Sequence, residues 1–264
     1  MEKSAKLGKL TLLNIILFGF IGQVAWAVEN NFFNTFLFSF GGTTKDISTM
    51  VAASAVVAVV TTFVMGTLSD KLGRRKVFIC AGYVAWGITV MAFAFISREN
   101  LGKLIGADPS SAAALSATVT TVIVMDCIMT FMGSTSNDSA FNAWITDVTV
   151  PSNRAKTEGL LAILPVLALV IVTGVFGFIA GDDAQASDYA TCFLGLGILV
   201  IICGIVGIFT IKDTGSGQKS DGNFFADLIY GFRPSVIKSH KCLYLSLACM
   251  GVYSIASQVF FPYI

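Results

Sequence analysis

Charged residues are scarce in this chain: Asp, Glu, Lys and Arg make up 12% of its 264 residues, against about 25% in soluble proteins. His240 is the one histidine, and the six cysteines form no CxxC pair. These absences argue against a metal centre, a disulfide framework and a His-based catalytic triad. An enzyme is therefore not expected, and a net charge of +1 gives no reason to expect nucleic acid as a partner.

Apolar residues are abundant instead, at 55% of the chain, with 22 phenylalanines and a mean hydropathy of +0.79. Apolar runs of about 20 residues are long enough to cross the hydrocarbon core of a bilayer as helices. The sequence therefore predicts an all-α polytopic membrane protein. Seven candidate spans can be read, at residues 10–37, 47–68, 77–96, 119–145, 160–179, 189–211 and 242–264.

The lysines and arginines are distributed unequally between the two sides of these spans. Fourteen of them lie in the N-terminus and in the loops after spans 2, 4 and 6, whereas Lys45, Arg98 and Lys103 lie on the other side. Because cytoplasmic loops carry an excess of Lys and Arg, we expect the N-terminus in the cytoplasm of an inner or plasma membrane.

The long connection after span 6 divides the chain into three parts. Residues 1–211 form a predicted six-helix bundle, residues 212–241 a cytoplasmic linker, and residues 242–264 a seventh span. The first part of the linker, "KDTGSGQKSDG", is typical of a flexible segment. The second part, "NFFADLIYGFRPSVIK", mixes apolar and charged residues, which favours an amphipathic helix on the membrane surface.

One short loop concentrates charge between two apolar runs. The stretch "GTLSDKLGRRK" between spans 2 and 3 carries five charges and two glycines in eleven residues. Gly73 permits a backbone bend, and the four-residue spacing of Asp70 and Arg74 predicts an ion pair across the turn. The excess of cations alone would suit any cytoplasmic turn, but it does not explain the order of Gly, Leu, Ser-Asp, Gly and Arg.

That order resembles the loop between spans 2 and 3 of the major facilitator superfamily, G-x-L-[AS]-D-[RK]-x-G-R-[RK]. The matching residues are Gly66, Leu68, Ser69, Asp70, Lys71, Gly73, Arg74 and Arg75. The stretch "DVTVPSNRAKTEG" after span 4 is similar to a second pattern of that family. Its matching residues are Asp147, Pro151, Arg154 and Gly159.

The resemblance implies a secondary transporter of two six-helix halves that rock about a site near the bilayer midplane. It also implies that the first loop is a cytoplasmic latch, with Asp70 facing a helix N-terminus of the second half and Arg74 holding it. The chain would then supply the first half and part of the seventh helix, and the second half would come from a longer chain. A partner-dependent or inactive half-transporter is the alternative.

Polar residues follow one face of span 1 and one face of span 4. On span 1 they are Gln23, Trp26, Glu29, Asn30 and Asn34, and on span 4 they are Asp126, Thr130, Asn137 and, at the border, Asp138. Steps of three and four residues place each set on one helix face. In the family the first and fourth helices line the central cavity, so the resemblance implies that the two faces meet, with Glu29 and Asp126 at similar depth.

A carboxylate inside a span is costly and is commonly functional. We interpret the two faces as a pathway for a small polar solute, in which amides and hydroxyls bind the solute, Trp26 stacks on a sugar ring and Glu29 or Asp126 carries a proton or helps to hold a cation. Hydrogen bonding that only joins the helices is the alternative.

The acids of spans 1 and 4 resemble those of the glycoside–pentoside–hexuronide and sucrose-type cation symporters. This likeness implies sugar or glycoside symport without any cofactor beyond the coupling ion. Span 2 has no carboxylate after Asp46, which favours a proton over sodium. A drug or metabolite efflux antiporter is the alternative, weakened because span 4 lacks the arginine usual in that group.

Overall fold

The computed structural model describes residues 7–180, 186–213 and 229–260, and these residues form helices joined by short turns. They belong to two compact units, residues 7–213 and residues 229–260. Six helices of the first unit are long and apolar enough to cross a membrane. The all-helical fold is confirmed, and so are the first six of the seven predicted spans.

The first three spans are nearly continuous helices. They are α1 (Lys9–Ser39), α2 (Thr44–Leu72) and α3 (Arg75–Ala92). Thr43 caps α2 by accepting a hydrogen bond from the backbone N–H of Asp46, whose carboxylate bonds back to Thr43. Gly73 ends α2 in the left-handed conformation, with φ at 59°, so the predicted bend lies at this residue, where a side chain would be strained.

The connection between spans 3 and 4 contains a short helix that the sequence did not predict. Helix α4 (Arg98–Ile105) begins at a Ser97 cap and ends at Gly106. Span 4 follows as α5 (Ala112–Gly133), a segment of wider π-helical turns (Ser134–Phe141) and α6 (Asn142–Val148). The π segment, also not predicted, consists mostly of small polar residues and contains Asn137 and Asp138 of the polar face.

Span 5 is divided into two helices. Helix α7 (Pro151–Leu161) and α8 (Leu164–Ala180) meet beside Pro165, which lacks an N–H and whose ring crowds the carbonyl of Leu161. Span 6 is α9 (Ala186–Thr210). In the second unit, α10 (Pro234–Ser239) and α11 (Lys241–Phe260) lie at the positions of the predicted surface helix and the predicted seventh span. Within the described residues α11 is not among the helices long enough to cross a membrane, so both roles stay predictions. Most of the predicted flexible segment lies outside the described residues.

Contacts between neighbouring helices organise the first unit. Helix α3 packs along α9, and α1 packs against α8 and α9, while α2 packs against α5 and the π segment. Phenylalanine rings fill the interior near the C-terminal ends of α1 and α3. Phe33 of α1 lies 4.5 Å from Phe93, which follows α3, and 5.3 Å from Phe193 of α9, measured between ring centroids. Such aromatic pairs add to the area that the rings bury, so this cluster fixes α1 against its neighbours.

Candidate functional site

The polar faces of span 1 and span 4 meet in the interior of the first unit. Thr130 of α5 donates a hydrogen bond from its hydroxyl to Oε1 of Glu29 on α1, at 3.1 Å. Trp26 of α1 donates from Nε1 to Oδ1 of Asn137 in the π segment, at 3.4 Å. These two contacts join the faces that the sequence predicted separately.

Glu29 and Asp126 lie close enough for their carboxylates to interact electrostatically. Asp126 is 2% exposed, and Ser54 of α2 lies beside its carboxylate. Each acid keeps one buried oxygen, Oε2 of Glu29 and Oδ1 of Asp126, that forms no hydrogen bond with any described residue. The site thus gathers hydroxyls and carboxylates from three spans around two oxygen atoms that can still accept a proton or contact a cation.

A series of hydrogen bonds links the π segment to α3 and α1 at this interface. Nδ2 of Asn137 donates to the hydroxyl of Tyr83 at 2.7 Å, and that hydroxyl donates to the carbonyl of Phe18 at 2.6 Å. Tyr83 is fully buried in α3. Gly22 makes room for these hydrogen bonds, because a Cβ atom at Gly22 would collide with the Asn137 side chain and the Tyr83 hydroxyl.

The side chain of Trp26 is held in place by neighbouring residues. Its ring lies 4.9 Å from that of Trp86, measured between centroids, and it packs against Gly133 so closely that a Cβ there would lie 2.9 Å from the indole. Together with the hydrogen bond to Asn137, these contacts fix the orientation of the Trp26 ring.

The remaining predicted residues of the pathway are dispersed around this centre. Asp138 accepts a hydrogen bond from Ser134 at 2.9 Å, within the π segment. The exposed Asn30 donates to the carbonyl of Trp26 in its own helix, so it is not part of the interhelical contact. Gln23 is half-buried and Asn34 is 9% exposed.

The two loop motifs are joined by one arginine, and it is not the arginine predicted from the four-residue spacing. Arg75, 8% exposed, forms ion pairs with Asp70 and with Asp147, and its Nη1 donates to the hydroxyl of Ser69 at 2.6 Å. The bond to Asp147 measures 3.2 Å. Arg74 instead precedes α3 as an exposed residue, because α3 begins at Arg75 and turns that side chain toward spans 2 and 4.

The other motif residues support the same end of the bundle. Gly66 faces the π segment, where a Cβ would lie 3.6 Å from the hydroxyl of Ser139. Arg154 donates to the hydroxyl of Thr149 at 3.2 Å and to the carbonyl of Thr146 at 2.9 Å, which ties the start of α7 to the end of α6.

Comparison with protein families decides the identity of the fold. The model of the Major Facilitator Superfamily matches residues 15–264. The chain belongs to the major facilitator superfamily. No curated protein and no solved structure matches it. Members of this superfamily are secondary transporters, so the protein is a multi-pass membrane transporter. The match confirms the superfamily that the two loop motifs indicated.

Sequence reasoning did not identify Tyr83, Ser54 or the π segment as parts of the site. Tyr83 is a hydroxyl-bearing residue inside an otherwise apolar run, and Ser54 is a small polar residue in a run of alanine and valine. Polar groups in a membrane span need hydrogen-bond partners. The presence of these two hydroxyls in apolar runs could therefore have indicated that both residues face the polar site.

Proposed function

We propose that this transporter couples the movement of a small polar solute, of the sugar or glycoside class, to the entry of a cation, with a proton favoured over sodium. Glu29 and Asp126 are the coupling carboxylates in this proposal. The observation that carries it is their meeting inside the bundle, each with one buried oxygen that has no partner among the described residues.

The cost of burying charge supports a coupling role for the pair. A carboxylate in an apolar interior is expensive as an ion unless it is paired or neutralised. Neither acid forms an ion pair with any Lys, Arg or His that the structure describes. Binding of a proton or a cation offsets this cost, and its release into water on one side of the membrane restores the charge. Solute binding beside the pair would then depend on the ion.

The groups around the pair suit a hydroxyl-rich solute. Thr130 and Asn137 offer a hydroxyl and an amide, and the fixed indole of Trp26 offers a flat apolar face. Gln23 and Asn30 extend the polar face along α1. Sugars combine hydroxyls with an apolar ring face, so an aromatic ring flanked by amides recognises them, and this match favours the sugar class.

The orientation of the bundle gives the loop motifs their proposed role. With the lysine-rich loops in the cytoplasm, the cluster of Asp70, Arg75 and Asp147 lies at the cytoplasmic end. It acts there as a latch, closing against the second helical bundle that the architecture of the superfamily implies. Asp70, whose side chain is 56% exposed, is the residue of this cluster most available to a helix N-terminus.

Uptake by vesicles that contain the protein tests the proposal. We expect Glu29→Gln and Asp126→Asn each to reduce uptake of the transported sugar or glycoside to the level of protein-free vesicles, since an amide can neither bind nor release the proton. The matched controls are Glu99→Gln and Asp108→Asn, which change exposed acids of the outer connection, and these should transport normally. Unchanged uptake by both site variants would contradict the coupling role.

A further inference from the structure

The surface of α3 and α9 carries a groove outside the polar interface. Its volume is about 490 Å³, and its walls are almost wholly apolar, formed by Val77, Ala81, Val84, Ala85, Ile88 and Ile208. Val77 and Ile88 are each more than half exposed. Ala81 and Ala85 lie between them in sequence on the same helix face, so their small side chains leave the depression.

One end of the groove is charged and the other is not. Lys76 lines it at the start of α3, where the span meets the polar loop. Asp213 lies near this end, but its Oδ1 accepts a hydrogen bond from the backbone N–H of Lys76 at 3.0 Å. Lys76 forms no ion pair with any residue that the structure describes, so its ammonium can bind an anion.

The length of the groove matches one leaflet of a bilayer. Twelve residues separate Lys76 from Ile88, which corresponds to about 18 Å of helix. Half of a hydrocarbon core is about 15 Å. A groove that starts at a lysine by the membrane boundary and runs apolar to the midplane has the dimensions and the polarity of a single acyl chain below a negatively charged headgroup.

We propose that this groove is a binding site for an anionic phospholipid of the leaflet on the Lys76 side. One acyl chain lies over Ala81 and Ala85 between Val77 and Ile88, and the phosphate contacts the Lys76 ammonium. The charge at one end distinguishes this site from a surface that solvates any lipid, because a zwitterionic headgroup gains less from a lysine.

Retention of lipid by the purified protein tests the site. The protein in detergent is mixed with equal amounts of palmitoyl-oleoyl phosphatidylglycerol and the phosphatidylcholine of the same chains, and bound lipid is counted by native mass spectrometry. We expect preferential retention of phosphatidylglycerol by the native protein. Lys76→Gln should lower that retention about fivefold, as expected for one lysine near an anionic lipid, and should leave phosphatidylcholine unchanged. Lys156→Gln, at an exposed lysine of α7, is the matched control.

Substitutions that fill the groove test separately whether it binds an acyl chain. Ala85→Leu should lower retention of both lipids, whereas Ala55→Leu, at an exposed alanine of α2, should lower neither. Ala81→Leu is the second variant if Ala85→Leu does not fold. Equal retention of phosphatidylglycerol by the native protein and Lys76→Gln would overturn the proposal, as would full retention in a folded groove-filling variant. Displacement of phosphatidylglycerol by inorganic phosphate alone would also overturn it.

Discussion

The interface between α1 and α5 and the interface between α3 and α9 are built in opposite ways. The first joins Glu29 to Thr130 through a side-chain hydrogen bond and contains two buried carboxylate oxygens that have no hydrogen-bond partner in the described part of the chain. The second is closed by glycine: a Cβ at Gly87 would lie 2.6 Å from the carbonyl oxygen of Gly197, and one at Gly204 would lie 2.9 Å from the carbonyl oxygen of Cys80.

The difference indicates that the two interfaces have different roles in the six-span bundle. Close backbone approach at small residues gives membrane helices most of their packing energy, so the α3–α9 pair is a rigid support. Buried polar groups without partners cost stability, and a coupling role of the kind proposed above would account for this cost at the α1–α5 interface. Breaking the α3–α9 contact should unfold the protein, and breaking the α1–α5 contact should leave a folded protein that does not transport.

The largest loss of stability is expected from a substitution at the glycine-lined interface of α3 and α9. Gly197→Val would place a side chain against the backbone of α3, with the Cβ 2.6 Å from the carbonyl oxygen of Gly87. Overpacking of this kind costs about 3 kcal/mol or more where the backbone itself must move. We expect the yield of monodisperse protein in fluorescence-detected size-exclusion chromatography to collapse.

The same helix supplies the control for this variant. Gly195 lies two residues earlier, and a Cβ there would meet nothing within 4 Å. Gly195→Val should therefore give a normal yield. Equal yields of the two valine variants would show that α3 and α9 are not held together by backbone contact.

The next largest effect is expected where α3 is joined to α2 and α6 by ion pairs. Arg75 begins α3 and binds Asp70 of α2 and Asp147 of α6. Breaking a largely buried pair leaves an uncompensated charge, so Arg75→Gln should slow uptake and lower the midpoint of thermal unfolding. Arg74→Gln, at the adjacent exposed arginine, should have little effect on either. If Arg74→Gln were the more damaging variant, the sequence-based assignment of the pair would stand and the structural one would be wrong.

The smallest loss of stability is expected from removal of the Tyr83 hydroxyl. Tyr83→Phe removes the group that accepts from Asn137 and donates to the carbonyl of Phe18. Its loss should cost about 1–3 kcal/mol, because the buried amide of Asn137 loses the partner to which it donates. A double-mutant cycle with Asn137→Ala, read by thermal unfolding in detergent, measures the coupling. Additive losses would mean that the bond contributes nothing to holding the interface.

The sequence predicted the spans and the polar faces because both depend on simple periodic patterns. Apolar length identifies a helix that crosses a bilayer, and steps of three and four residues place Glu29 and Trp26 on one face. Gly73 was also predictable, since only glycine adopts a left-handed end to a helix without strain.

The details of packing were not predictable in the same way. Whether Arg74 or Arg75 binds Asp70 depends on where α3 begins and on how spans 2, 3 and 4 meet, which local spacing does not determine. The segment "STSNDSAF" does not distinguish wider π-helical turns from ordinary ones. The glycines of α9 at positions 197 and 204 are seven residues apart, and this spacing was a signal for the α3–α9 contact that could have been used.

Ion movement driven by solute tests the central claim most directly. Vesicles that contain the protein are suspended in weak buffer without an ion gradient, sugars and glycosides are added in turn, and external pH and sodium are recorded. For a transported solute we predict proton uptake by the vesicles, and no such signal for the protein with Glu29→Gln and Asp126→Asn together. Solute entry without movement of protons or sodium, or an unchanged signal in the double variant, would contradict the account.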